Sequence, residues 1–306
     1  MTPRIALLPA LALAAVLASG CGQGPAGADS DAALSAVATT TQVGDFVRRV
    51  GGDRVAVGQT LAANAEPHDY EPRPSDAREM AEAEVVFRSG GGLDSWLDDL
   101  VENAGGDAEV VDLIGSVHTR GDDPHWWQDP RNAVRAVTAI RDRLAEADPE
   151  GGRIYERNAA AYVLELKRLD RSVAACIDRI PAARRKLVTT HDALGYYADR
   201  YALEVIGALI PSLSTQAQPS AGDTQALVQQ IEALDVKAIF PESSVSPKLE
   251  EAVARETGAE VGAALWADTL GPEDSGGATY VESIQANTAA IVDGLTGGEM
   301  QCRPRA

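Results

Sequence analysis

Between residues 33 and 295 the chain runs twice through the same pattern, in which short apolar runs of strand length alternate with longer amphipathic stretches, and one very long amphipathic stretch divides the two rounds. Such alternation is what a parallel sheet flanked by helices demands, since parallel strands are joined by crossovers that bury one face of their own. In the first round, strands are expected at 33–39, 55–58, 84–88 and 109–113 and helices at 42–50, 74–83 and 93–103, with turns at Asp53, Gly90-Gly91-Gly92 and Gly105-Gly106. Pro130 opens a helix to residue 147, which the break Asp148-Pro149-Glu150-Gly151-Gly152 ends. Residues 153–180 then carry Tyr162, Leu166, Leu169, Val173 and Ile177 at three- and four-residue spacing, with Ile154 two turns earlier. That spacing predicts a spine helix of about 40 Å with one buried face, ended by Pro181. In the second round, strands are expected at 186–189, 204–208, 237–240 and 260–265, and helices at 192–200, 224–234, 247–257 and 279–295. The expected fold is α/β, with two lobes (31–150 and 182–306) joined by the linking helix at 151–181. Each lobe has a four-stranded, mainly parallel sheet flanked by helices. Ligands of open parallel sheets bind beyond the carboxyl ends of the strands, which places the site in the cleft between the lobes.

The 306 residues include 46 acidic and 27 basic ones, for a formal charge of −19, and no Lys/Arg stripe runs along the chain. That charge excludes a nucleic-acid partner. Residues 1–20 carry Arg4 and then an apolar run at 5–18, shorter than the roughly 20 residues needed to span a bilayer, and read as an export signal. The signal ends in Leu17-Ala18-Ser19-Gly20-Cys21, which resembles the lipobox of bacterial lipoproteins. The resemblance implies a diacylglyceryl group on Cys21, a lipid anchor at the outer face of the cytoplasmic membrane, and a flexible tether at 21–30. Export also favours a disulfide between the two remaining cysteines, Cys176 and Cys302, which have no CxxC spacing. Closing so long a loop contributes about 4 to 5 kcal/mol in the chain-entropy model.

The chain has four histidines: His68, His118, His125 and His191. His68 and His125 each lie between prolines, in Glu66-Pro67-His68-Asp69-Tyr70-Glu71-Pro72 and Pro124-His125-Trp126-Trp127-Gln128-Asp129-Pro130, where the backbone has little freedom left to lose. His191 follows a strand at the expected start of the helix at 192–200. A helix N-terminus disfavours imidazolium, so a neutral ring is expected there, which is the form a metal binds. Gly90-Gly91-Gly92 lacks phosphate-loop spacing and reads as a turn. Glu273-Asp274-Ser275-Gly276-Gly277 matches a serine-protease nucleophile region only by chance, since the strand and helix alternation does not fit that fold. Trp126-Trp127 and Tyr196-Tyr197 are expected to wall the cleft.

Five segments in one order, EPHDYEPRPSD, DPHWWQDP, THDALGYYADRY, FPESSVSPK and LWADTLG, resemble the motifs of the metal-specific solute-binding lipoproteins of bacterial zinc/manganese ABC importers, over nearly the whole mature chain. The resemblance implies four metal ligands, His68 and His125 from one lobe and His191 and Asp268 from the other. Zinc members carry histidine at the third position and manganese members glutamate, so His191 implies Zn²⁺ as cargo. Three imidazoles and one carboxylate also suit a four-coordinate zinc site, and a closed tetrahedron leaves no position to activate water, so a receptor is expected and not an enzyme. The implied partner is an ABC permease, with the receptor a monomer. Alternatives are a manganese or iron receptor of the same family, a surface adhesin with a structural metal and a zinc hydrolase. Asp69, Asp123 and Glu242 are candidates to orient the imidazoles, and Glu242 is also an alternative ligand. Many zinc members have a long histidine-rich loop, whereas residues 115–123 hold only His118. That departure implies metal capture from solution or delivery by a metallochaperone, with His118 an exposed loop residue.

Overall fold

The computed structural model describes residues 32–105 and 107–306. The export signal, Cys21 and the tether lie outside them. In the first lobe β1 (Leu34–Ala38), β2 (Val55–Gln59), β3 (Val85–Arg88) and β4 (Glu109–Asp112) form one parallel sheet in the order β2-β1-β3-β4. Helices α1 (Thr41–Gly51), α2 (Pro74–Glu82) and α3 (Trp96–Ala104) make its crossovers. α1 and the spine side of the sheet bury Phe46, Val47 and Val50, while Met80 and Leu97 cover the other face. Gly90, Gly91 and Gly92 all have positive φ, as the turn after β3 requires.

α4 (Pro130–Ala147) begins as expected, with Pro130 in its first turn and the Asp129 carboxylate capping the Arg131 N–H. α5 (Gly152–Ile177), about 39 Å long at 1.5 Å per residue, buries Tyr162, Leu166, Leu169, Val173 and Ile177. Ile154 is only half-buried, and Tyr155 takes the buried place at the start of the helix, its hydroxyl donating to Asp148. Truncating a core leucine such as Leu166 to alanine costs about 2 to 5 kcal/mol.

The second lobe repeats the strand arrangement less regularly. β5 (Lys186–His191) pairs in parallel with β6 (Glu204–Ile210), and β7 (Ala238–Ile239) with β8 (Glu260–Val261). A single parallel bridge, Thr189 to Phe240, joins the two pairs. Both β7 and β8 are shorter than expected: after Ile239 and Val261 the pairing is interrupted and resumes only as a parallel bridge between Glu242 and Leu265, just before the loop that carries Asp268. Between and after these strands come α6 (Gly195–Tyr201), α7 (Ala221–Ala233), α8 (Lys248–Thr257) and α9 (Tyr280–Leu295). One apolar core runs through α1, α4, α5, α6 and α9, so the lobes share buried side chains as well as a linking helix. Cys176 and Cys302 are disulfide-bonded with Cα atoms 5.7 Å apart, which ties the tail to the last turn of α5. Among the described residues no helix is long and apolar enough to cross a membrane.

Candidate metal centre

Each of the four expected ligands is set by local structure. His68 lies in a 3-10 turn, Pro67–Asp69, whose cap Glu66 accepts the His68 N–H at 3.1 Å. His125 caps the 3-10 turn Trp126–Gln128 just before α4. His191 is the last residue of β5, and Asp268 lies in the loop between β8 and α9. That loop is fastened to the opposite lobe: the Ala267 carbonyl accepts from Trp127 Nε1 at 2.9 Å and Gln128 Nε2 at 2.7 Å, and the Leu270 N–H donates to Thr41 Oγ1 at 2.8 Å. The tryptophan expected as a cleft wall thus holds the backbone next to Asp268.

The four side chains converge, with one donor atom from each lying within 4.8 Å of all the others. Asp268 Oδ2 is 3.2 Å from both His68 Nε2 and His191 Nε2, Asp268 Oδ1 is 3.4 Å from His125 Nε2, and the two last-named ring nitrogens are 3.3 Å apart. Donors about 2.0 to 2.1 Å from a tetrahedral ion stand about 3.3 to 3.4 Å from one another, which is the spacing of the three His–Asp268 contacts and of His125 with His191. His125 and His191 are fully buried and Asp268 nearly so, yet neither oxygen of Asp268 nor His68 Nε2 has a hydrogen-bond partner. A buried carboxylate without hydrogen-bond partners is costly, and among the described residues the only groups near enough to meet this one's charge are the three imidazoles around it. Here the orphaned atoms face one another across a single point.

Two of the rings are held from behind in the same way. Asp123 Oδ1 accepts both the backbone N–H (3.0 Å) and Nδ1–H (2.8 Å) of His125, and Glu242 Oε1 accepts both the backbone N–H (3.2 Å) and Nδ1–H (2.5 Å) of His191. A proton on Nδ1 leaves the Nε2 lone pair pointing into the cluster. The 3.3 Å between these two Nε2 atoms calls for a positive charge, supplied by a proton on His191 in the metal-free protein or by a cation that replaces it. Glu242 therefore stands behind its ring as an orienting group. Asp69, another orienting candidate, is exposed and bonds Gln216 Nε2 at 3.0 Å instead.

The expectation of a neutral His191 at a helix start is not met. α6 begins only at Gly195, because Asp192 N–H bonds Ser212 and Ala193 N–H turns back to His191. Burial disfavours the imidazolium, but the carboxylates of Asp268 and Glu242 outweigh it and raise the His191 pKa well above 6.5 in the metal-free protein. Burial likewise opposes ionisation of Asp268, and His191 and His125 overcome it, holding that carboxyl well below the usual range. For Glu242 burial prevails and its pKa is raised. Behind this pair, unforeseen from the sequence, Thr190 Oγ1 donates to the buried Glu250 and accepts the Glu242 N–H at 3.1 Å. His118 is exposed and lies 2.6 Å from a guanidinium nitrogen of Arg135, a poor setting for a cation.

Residues 36–294 match the family profile described as "ZnuA: Zinc-uptake complex component A periplasmic". The chain is 32% identical to the manganese-binding lipoprotein MntA of Halalkalibacterium halodurans, over 92% of this chain and 95% of that protein. It is 31% identical to MntA of Bacillus subtilis, over 95% and 99% respectively. Among solved structures, the periplasmic zinc binding protein TroA from Treponema pallidum superposes with a TM-score of 0.81 at 27% identity, covering 86% of this chain and 99% of that one.

Proposed function

Because the chain belongs to the ZnuA family of periplasmic components of metal-uptake complexes, we propose that it is a lipid-anchored receptor that captures extracytoplasmic Zn²⁺ on His68, His125, His191 and Asp268 and hands it to an ABC permease. Family members are binding components of importers, and this chain is a receptor and not an enzyme. The reading rests on the convergence of three Nε2 atoms and one carboxylate, from two lobes, with donor atoms all within 4.8 Å of one another. Zinc is the favoured cargo because three imidazoles and a single carboxylate make a nitrogen-rich set, whereas Mn²⁺ prefers more oxygen and stands lower in intrinsic affinity. The membrane tether is read from the lipobox-like Leu17-Ala18-Ser19-Gly20-Cys21 and from lipoprotein relatives. Residues 31–150 and 182–306 are proposed as the two metal-binding lobes, with 151–181 linking them.

Manganese is the second reading, favoured by two observations. Relatives at 32% and 31% identity are named as manganese-binding. Both oxygens of Asp268 face the cluster without a partner, so a two-oxygen grip would add a fifth donor. Titration calorimetry decides between the two: Zn²⁺ is expected to bind at one site per chain and to displace Mn²⁺. Retention of Mn²⁺ against equimolar Zn²⁺ would shift the reading to manganese, and binding of neither ion would end the receptor proposal.

A further inference from the structure

Resting on the receptor reading, we infer that Arg120 is a positioning residue for the bound cation: it fixes the carboxylate that orients His125 and ties that carboxylate to the opposite lobe. Asp123 is buried and divides its two oxygens between two tasks. Oδ1 takes both N–H groups of His125, while Oδ2 lies 3.3 Å from Arg120 Nη1. Arg120 Nε donates to Asp199 Oδ2 on α6 at 2.9 Å, and the Arg120 backbone N–H donates to the Tyr196 hydroxyl at 2.8 Å. That hydroxyl in turn donates to the Asp123 carbonyl at 3.1 Å. α6 starts four residues after His191. The turn at 120–123 of the first lobe is thus stitched to the helix that follows a ligand of the second, and the stitch passes through the group that holds His125.

α6 is shaped to admit the guanidinium. A Cβ at Gly195, its first residue, would lie 2.5 Å from Arg120 Nη1, 2.7 Å from Arg120 Cζ and 2.9 Å from Asp123 Oδ2. Any side chain there displaces Arg120 from Asp123. The Arg120–Asp199 pair is largely exposed, at 41% and 66% of its side-chain surfaces, so as an ion pair it adds little stability. Its effect is geometric: without the guanidinium, Asp123 Oδ2 loses its partner and the carboxylate can rotate, freeing the plane of the His125 ring. Metal should still bind, but it should leave sooner.

The test follows Zn²⁺ release from the full chain into excess chelator, for the parent and for R120Q, R120K and G195A. R120Q and G195A are expected to load one Zn²⁺ per chain and release it on the order of tenfold faster, the low end of what loss of a ligand's supporting group costs. R120K is expected to recover part of the difference. In a D123N background the R120Q effect should vanish, because the carboxylate through which Arg120 acts is gone. Parental release rates in both R120Q and G195A, or an undiminished R120Q effect on top of D123N, would overturn the inference. So would a lowered melting temperature of the metal-free variants with release unchanged, the mark of a purely structural role. Failure of the parent chain to bind Zn²⁺ at all would instead count against the receptor reading.

Discussion

His125 and His191 are rooted in the molecule in one way and His68 in another. Each of the first two is fully buried, with a carboxylate that grips both its backbone N–H and its ring Nδ1–H. His68 keeps 7% of its side chain exposed, and its turn is held across the cleft at the surface, by Asp69 to Gln216 at 3.0 Å and Glu66 to Ser244 at 3.3 Å, and by the Asn64 N–H to Leu270 carbonyl bond at 2.9 Å. Asp268 belongs with the rigid pair, its neighbour Ala267 being pinned by Trp127 and Gln128. Three of the candidate donors are thus preorganised, and the fourth sits on an arm whose side-chain fastenings, Asp69 to Gln216 and Glu66 to Ser244, lie near solvent. Ion exchange should then proceed on the His68 side.

The largest effects should separate the rooted ligands from the arm. His191→Ala and Asp268→Ala are expected to lower Zn²⁺ affinity by more than the roughly 100-fold ceiling for supporting residues, and His68→Ala by less than either. Calorimetric titration of the three variants checks the order, and equal losses would erase the distinction.

Next comes the carboxylate behind a ring. Glu242→Gln keeps an acceptor but removes the charge that favours His191 as a donor, and is expected to cost about 10- to 100-fold in affinity. Glu66→Gln, on the arm, should leave affinity within a factor of about two, well below that range.

Proton linkage supplies a third contrast. A raised pKa means that metal-free His191 carries its proton through neutral pH and loses it only as pH climbs through the raised value, so the stability gained from its ion pairs is present below pH about 6.5 and fades above the folded pKa. Metal must displace that proton, so affinity should rise with pH through neutrality and binding should release protons at pH 7. Titration in buffers of different ionisation enthalpy measures the release, and none at pH 7 would contradict the carboxylate grip on His191.

The fastenings of the arm are expected to show in the rate of release. Gln216→Ala and Ser244→Ala each remove one hydrogen bond worth about 1 kcal/mol, which corresponds to release of Zn²⁺ roughly fivefold faster with the loading stoichiometry unchanged. Stopped-flow release rates equal to the parent's would leave the arm without its fastening.

The alternation of strands and helices was legible because its signals are local, and two of the four converging side chains stood out the same way, whereas Asp268 was read only from the family resemblance. Pro130 and the three-four spacing of α5 marked helices, and proline-flanked loops marked His68 and His125. Asp123, read from the sequence as one of three candidates to orient an imidazole without assignment to any of them, is found against His125. What escaped is long-range. Glu250 supports Thr190 from 60 residues away, Gln128 reaches Ala267 across 139, and Arg120 meets Asp199 across 79. Local propensity misplaced the start of α6, where Asp192-Ala193-Leu194 reads as helix but the Asp192 N–H is taken by Ser212. It also lengthened β7 and β8, whose apolar residues Phe240 and Leu265 are buried outside the strands.

Anomalous diffraction at the zinc edge from Zn²⁺-loaded crystals tests the central claim most directly. One peak per chain is expected, with His68 Nε2, His125 Nε2, His191 Nε2 and an oxygen of Asp268 each about 2.0 to 2.2 Å away. A peak outside this cluster, or one bound by fewer than four of these side chains with water in the vacant place, would contradict it.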